Sequence, residues 1–260
     1  MKNKLLLIIT LCFTLFVTGC NKQEENIDSL STILQRGKII VGVKYDTKPF
    51  GYMTENQQLV GFDVDLAKSI AKSILGDENK VEFKQVTPSN RILALSSGQV
   101  DMIIATMTVT EQRSEIIDFS TPYYVTGQAI LVPRGSKITS ISDLNGKRVI
   151  IIFGSTAEKN LRLAAPEAQI LGFKTYTSAY SALKQNRADA ITSDETILLG
   201  FAMEDKNLKL LPKKYSKEPY AIGFKKGPSS IRLRNRVNFV LNDMIQNGEL
   251  AKLKSRWIKY

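Results

Sequence analysis

Arg113 stands five residues after Thr108, just behind the apolar run 100–105, in the segment ATMTVTEQRSEIIDFSTPYY that spans residues 105–124. These residue types suit the capture of a small anion. Threonines offer hydroxyls and backbone N–H groups, and a planar guanidinium matches the two oxygens of a carboxylate, where lysine would be a point charge. A plainer arrangement uses the same residues: a strand end whose arginine pairs at the surface with Glu111, Glu115 or Asp118. On this segment alone both readings stay open.

The elements that must hold such a site are written twice. ALSSGQVDMI at 94–103 matches ALKQNRADAI at 182–191, each a helix end, a turn at Gly98 or Asn186, and an aspartate opening a strand. An earlier pair, LQRGKIIVGV at 34–43 and LNGKRVIII at 144–152, is in each case a turn feeding an apolar strand. Between them, residues 62–75 carry Val64, Leu66, Ala67, Ile70, Ala71, Ile74 and Leu75 at helical spacing, with Asp63 as the expected N-cap. Residues 179–185 take the corresponding place in the second half. Strands alternating with helices predict an α/β fold with mostly parallel sheets. After the second copy come a strand at 220–224, a break at Gly227-Pro228, and a helical end, 231–260, with Val237, Val240, Leu241, Met244 and Ile245 on its core side.

Composition narrows the chemistry. The chain has no histidine, which removes Ser-His-Asp, Cys-His and histidine–metal sites together. No cofactor and no metal site is expected. Residues 1–19 combine Lys2 and Lys4 with an apolar run at 5–17, shorter than the ~20 residues a membrane-spanning helix needs, and read as an export signal. Val17-Thr18-Gly19-Cys20 is similar to a bacterial lipobox, so cleavage would leave a diacylated Cys20 followed by a polar tether to residue 27. Cys12 leaves with the signal, and stability then rests on packing alone. The net charge of +11 belongs to a lysine-rich surface; outside the membrane it suits anionic lipid, anionic solutes or a transporter, and no nucleic acid is expected.

Taken in order, the lipobox, GFDVDL at 61–66, residues 101–108, TEQR at 110–113, DFSTPYY at 118–124 and DAITSD at 189–194 make the chain resemble the substrate-binding lipoproteins of ABC importers for polar amino acids, extracellular solute-binding protein family 3. The resemblance implies an α/β, two-lobed periplasmic-binding-protein fold of type II, monomeric, lipid-anchored in the cell envelope and facing the periplasm or cell exterior. Lobe 1 would comprise 28–124 and 222–260, lobe 2 127–218, with hinges near 123–126 and 219–221.

Carried over residue by residue, the resemblance implies that Arg113 and the Thr108 backbone meet the ligand α-carboxylate, with Ala105 and Thr106 along the same edge. Asp194 would meet the α-ammonium, unless it only caps the helix after it. Ser155 and Thr156 would hold the ligand from lobe 2, while Phe153 stands where a polar residue is expected. Arg91, in the loop before a helix at 92–97, implies an acidic ligand, glutamate or aspartate; Asp46 and Phe50 would form the first-lobe wall. If Asp46 faces an amide, glutamine follows instead. Rival readings are a dehydratase-like enzyme on the same fold, which would need a general acid beyond Asp46 and Asp194, and a soluble sensor.

Overall fold

The structure, a computed structural model, describes residues 28–259; the expected signal, Cys20 and the tether lie outside the described residues. Among the described residues no helix is long and apolar enough to cross a membrane. The chain opens with α1 (Ser29–Arg36), β1 (Ile39–Val43), a small antiparallel sheet of β2 (Asp46–Thr47), β3 (Gly51–Met53) and β4 (Leu59–Val60), then α2 (Phe62–Leu75), β5 (Val81–Gln85), α3 (Arg91–Ser96), β6 (Met102–Ile103), α4 (Glu111–Ser114) and β7 (Ile117–Phe119). It crosses on β8 (Tyr124–Thr126) and continues as β9 (Gln128–Pro133), β10 (Arg148–Ile152), α5 (Ala157–Ala164), β11 (Gln169–Phe173), α6 (Tyr176–Lys184), β12 (Ala190–Asp194), α7 (Glu195–Glu204) and β13 (Leu208–Leu210). It returns on β14 (Glu218–Tyr220) and ends with β15 (Gly223–Lys225), α8 (Ile231–Gln246) and α9 (Glu249–Trp257).

The sheets repeat one plan. In the first, ordered β5-β1-β6-β15-β7, β1 runs parallel to β5 and β6, and β15 is antiparallel to β6. In the second, ordered β11-β10-β12-β9-β13, β10 runs parallel to β11 and β12, and β9 is antiparallel to β12. The antiparallel pair β8 and β14 joins them. The repeated aspartates have a physical reason in this plan. Asp101 accepts the Ile40 N–H on β1 at 2.7 Å, and Asp189 accepts the Arg148 N–H on β10 at 2.8 Å. Each aspartate locks the amino end of a central strand to its neighbour, and each also pairs with an arginine, Arg36 or Arg148.

Packing follows the apolar patterning. Helix α2 buries Val64, Leu66, Ala67, Ile70 and Ala71, and α8 buries Leu233, Val237, Val240, Leu241 and Met244. Each large apolar side chain contributes on the order of 1.5–3 kcal/mol of burial. Two expectations shift. Ile245 is 53% exposed, and the terminal helix is broken in two at Gly248, whose φ of 79° is left-handed. Helix α2 spans the expected 62–75, but its N-cap is Gly61, two residues before the expected Asp63: Gly61 has a φ of 134° and Asp63 is drawn into the interior.

A Cβ on Gly61 would lie 2.2 Å from the Phe50 carbonyl oxygen. Gly61→Ala is therefore expected to lose on the order of 2–4 kcal/mol of folding free energy, read as a lower urea midpoint. An unchanged midpoint would show that this turn relaxes freely.

Candidate functional site

The carboxyl ends of β1, β6, β10 and β12 meet around one small space lined by Lys44, Pro88, Arg91, Thr106, Thr108, Arg113, Ser155, Thr156, Tyr176 and Asp194. Open α/β sheets present ligand sites at these strand ends, because the loops there are free of ladder hydrogen bonds.

The stretch 105–108 is the floor of this space, and charged side chains pin it from three elements. Thr106 has a φ of 46°, rare for a branched residue. Asp63 on α2 accepts the Thr106 N–H at 3.0 Å. Arg91, the first residue of α3 and not part of the loop before it, gives one Nη1 to the Ala105 and Thr106 carbonyls at 2.6 and 3.3 Å. Lys44 donates from Nζ to the Thr106 hydroxyl. Together these bonds hold a conformation that costs on the order of 1–3 kcal/mol.

Thr108 forms an antiparallel bridge with Tyr220. Its ladder bonds run from the Val109 N–H to Pro219 and from the Ala221 N–H to Met107. Thr108 is thus the non-hydrogen-bonded member, whose own N–H and C=O point away from the bridge. On that side its carbonyl accepts Arg113 Nη1 at 2.8 Å, while Arg113 Nη2 reaches across to the Gly154 carbonyl at 2.9 Å. The surface pairing with Glu111, Glu115 or Asp118 does not form: Arg113 is buried, and Asp118 pairs with Lys226 and Arg234. Burial pulls the Arg113 guanidinium down, while Asp194 and Glu218 support its charge.

Asp194 ends β12 and occupies the N-cap position of α7, yet its side chain makes no capping bond. Its carboxylate accepts the Tyr220 hydroxyl instead. Burial, with Glu218 nearby, pushes this carboxyl up. Ser155 Oγ donates to the Ile152 carbonyl at 2.6 Å, and Thr156 Oγ1 donates to Glu218 and accepts from Gln128 Nε2, both at 2.8 Å.

Two expected wall residues sit elsewhere. Phe50 is fully buried among Phe62, Tyr124 and Tyr220 and does not line the space; an aromatic cluster at the base of the crossing strands claims its ring. Asp46 turns to the amino end of α6, accepting the Tyr176 N–H at 2.8 Å, where a carboxylate meets the positive end of the helix. Phe153, 45% exposed, covers Gly172 on β11. Sequence reading missed Lys44, Asp63, Tyr176 and Tyr220. Of these, Lys44 carried a signal, since it follows directly on an apolar strand, at the end where such sheets hold ligands.

Asp63 is fully enclosed. The Tyr123 hydroxyl, at 2.8 Å, and the Thr106 N–H favour its anion, but burial outweighs them and lifts its carboxyl from 3.8 to about 6. A raised folded pKa stabilises the fold most below 3.8, and that contribution is lost as pH rises through about 6. Urea unfolding of the wild type is therefore expected to lose on the order of 3 kcal/mol relative to Asp63→Asn across this window. A gain with rising pH would mean that the anion is the favoured form.

Residues 39–260 match the family model of bacterial extracellular solute-binding proteins, family 3. An ABC transporter glutamine-binding protein of Bacillus subtilis is 42% identical over 255 residues, 97% of this chain and 93% of that protein. A glutamine-binding protein of Geobacillus stearothermophilus is 48% identical over 198 residues, covering 75% of this chain and 76% of its own length. Among solved structures, a cysteine-binding protein from Campylobacter jejuni superposes with a TM-score of 0.85 at 34% identity, over 89% of this chain and 93% of that one. With its duplicated sheets, its crossing strands and a cleft at the strand ends, the chain belongs to the bacterial extracellular solute-binding proteins of family 3.

Proposed function

We propose that the protein is a receptor that closes over one molecule of glutamine and delivers it to the permease of an ABC importer. The observation that carries this reading is that Arg113 from one side and Asp194 from the other line the same small space. A zwitterion matches them, its α-carboxylate on the Arg113 guanidinium and the Thr108 N–H, its α-ammonium on Asp194. Charge-assisted bonds of this kind contribute on the order of 1.5–3 kcal/mol each, a large part of the ~8 kcal/mol of a micromolar site.

Glutamine suits the far end of the cleft better than the expected glutamate or aspartate. The Nη1 of Arg91 is engaged with the carbonyls of Ala105 and Thr106, so this arginine braces the floor and is not free to grip a side-chain carboxylate with both prongs. The relatives named for glutamine support the same choice. The chain is a binding protein, as those relatives are, and not an enzyme. In this reading residues 28–124 and 222–260 form one lobe and 127–218 the other, with hinges near 123–126 and 219–221. Export on residues 1–19 and diacylation of Cys20 would keep the receptor beside its permease.

Calorimetric titration of the chain from Asn21 onward, which contains every described element, tests this. Glutamine is expected to bind at micromolar Kd or tighter, and Arg113→Ala or Asp194→Ala to weaken every α-amino acid at least tenfold. Failure of all twenty amino acids to bind would remove the reading. Arg91→Ala is expected to weaken glutamine and glutamate by similar factors, because it loosens the shared floor. A loss confined to acidic ligands would restore Arg91 as their selector.

A further inference from the structure

We propose that Lys44 selects the ligand side chain: its ε-amino group donates to an uncharged oxygen acceptor at the far end of the ligand and turns away side chains that end in a cation. This inference rests on the amino-acid receptor reading above and deepens it.

Lys44 is the first residue beyond β1 and lines the cleft, yet it is only 2% exposed. Its backbone has little room to move, because a Cβ on Gly51 would come within 2.4 Å of the Lys44 carbonyl oxygen. The ammonium has three donors. One goes to the Thr106 hydroxyl, and the face of the Tyr176 ring lies 4.9 Å from Nζ. Among the described residues no carboxylate forms an ion pair with it.

The charged groups around Lys44 are accounted for from every side. Asp46 accepts the Tyr176 N–H, Asp63 accepts Tyr123 and Thr106, and Asp194 accepts Tyr220. Arg91 adds a second cation beside it. Once Arg113 and Asp194 hold the α-groups, the rest of the lining offers Lys44 and Arg91 and no carboxylate. A cationic side chain would meet like charge away from water, which is how a site rejects a competitor. An amide oxygen accepts a hydrogen bond from either protonation state of the amine. A side-chain carboxylate gains counter-charge from Lys44 only in its ammonium form, in addition to that of Arg91, and burial pulls Lys44 down to about 7.

Titration of the wild type, Lys44→Met and Lys44→Arg against glutamine, glutamate and arginine tests the assignment. Lys44→Met, similar in length and uncharged, is expected to weaken glutamine at least tenfold and to strengthen arginine, so that the preference between them falls at least a hundredfold. Lys44→Arg is expected to keep rejecting arginine. In the wild type the affinity for glutamate relative to glutamine should rise severalfold from pH 8 to pH 6; the ratio cancels the shared titration of Asp63 and Asp194, and the glutamate side chain does not itself titrate there. Lys44→Met should abolish that rise. An unaltered preference in Lys44→Met, or equal losses for all three ligands, would make Lys44 a brace for Thr106 only. If Lys44→Met does not fold, a wild-type ratio that is flat with pH, or arginine binding by Lys44→Arg, overturns the assignment. Absence of any amino-acid binding by the wild type overturns the receptor reading itself, whereas binding with unaltered preference overturns this inference alone.

Discussion

The left-handed turn at Thr106 is the constraint on which the rest of the site depends. A branched residue at φ 46° is held there only because Asp63, Arg91 and Lys44 converge on it from three different elements. Taking those charges out of water is costly, and hydrogen bonds to fixed backbone groups offset much of that cost. The result is a rigid edge on which the Thr108 N–H and the Arg113 guanidinium stand at set positions. Burial drives Asp63 and Asp194 up and Lys44 and Arg91 down. A ligand with separated charges suits such a place, because each of its ends meets an opposite charge that has already been desolvated.

In the proposed receptor the same residues would couple ligand to closure. Arg113 spans from the Thr108 carbonyl on one side of the cleft to the Gly154 carbonyl on the other. Gly154 permits that approach: a Cβ there would lie 2.4 Å from the Pro88 carbonyl oxygen. Asp46 on the Tyr176 N–H and Lys48 on Glu204 add further crossings at the rim. Among the described residues only the short pair β8 and β14 runs between the sheets as continuous chain, so in the proposed receptor these crossings would form or break together as the sheets approach or part. A ligand that engages Arg113 and Asp194 at once favours the approached state by its differential contacts.

What the sequence made legible is local or repeated. The matched segments at 94–103 and 182–191 announced the duplicated sheets, and their aspartates perform the same strand-locking task in both. Arg113 and Thr108 stood out because they follow an apolar strand at short range, and Asp194 was carried over from the family resemblance; all three line the same space. The residues that escaped act over long separations. Asp63 looks like a cap in sequence, yet its partners are 43 and 60 residues away. Asp46 looks like a pocket wall, and its partner is 130 residues away. Phe50 is apolar and aromatic, equally suited to a ligand or a core, and nothing in its immediate neighbours reveals that three other rings close around it.

In the proposed receptor, recognition would be divided between two sources. The α-groups would be met by the turn after β6, the short helix behind it and the end of β12, all tied to backbone positions that the fold itself requires. The far end would be met by the residue after β1, whose Nζ lies 4.9 Å from the Tyr176 ring on α6. Lys44 makes one bond to the floor, whereas Asp63 and Arg91 make two each to their partners. A substitution at Lys44 thus disturbs less of the scaffold than one at either of the others. An architecture arranged in this way can change which side chain it accepts while keeping its grip on the α-amino acid frame, because the two tasks share a cleft but few hydrogen bonds.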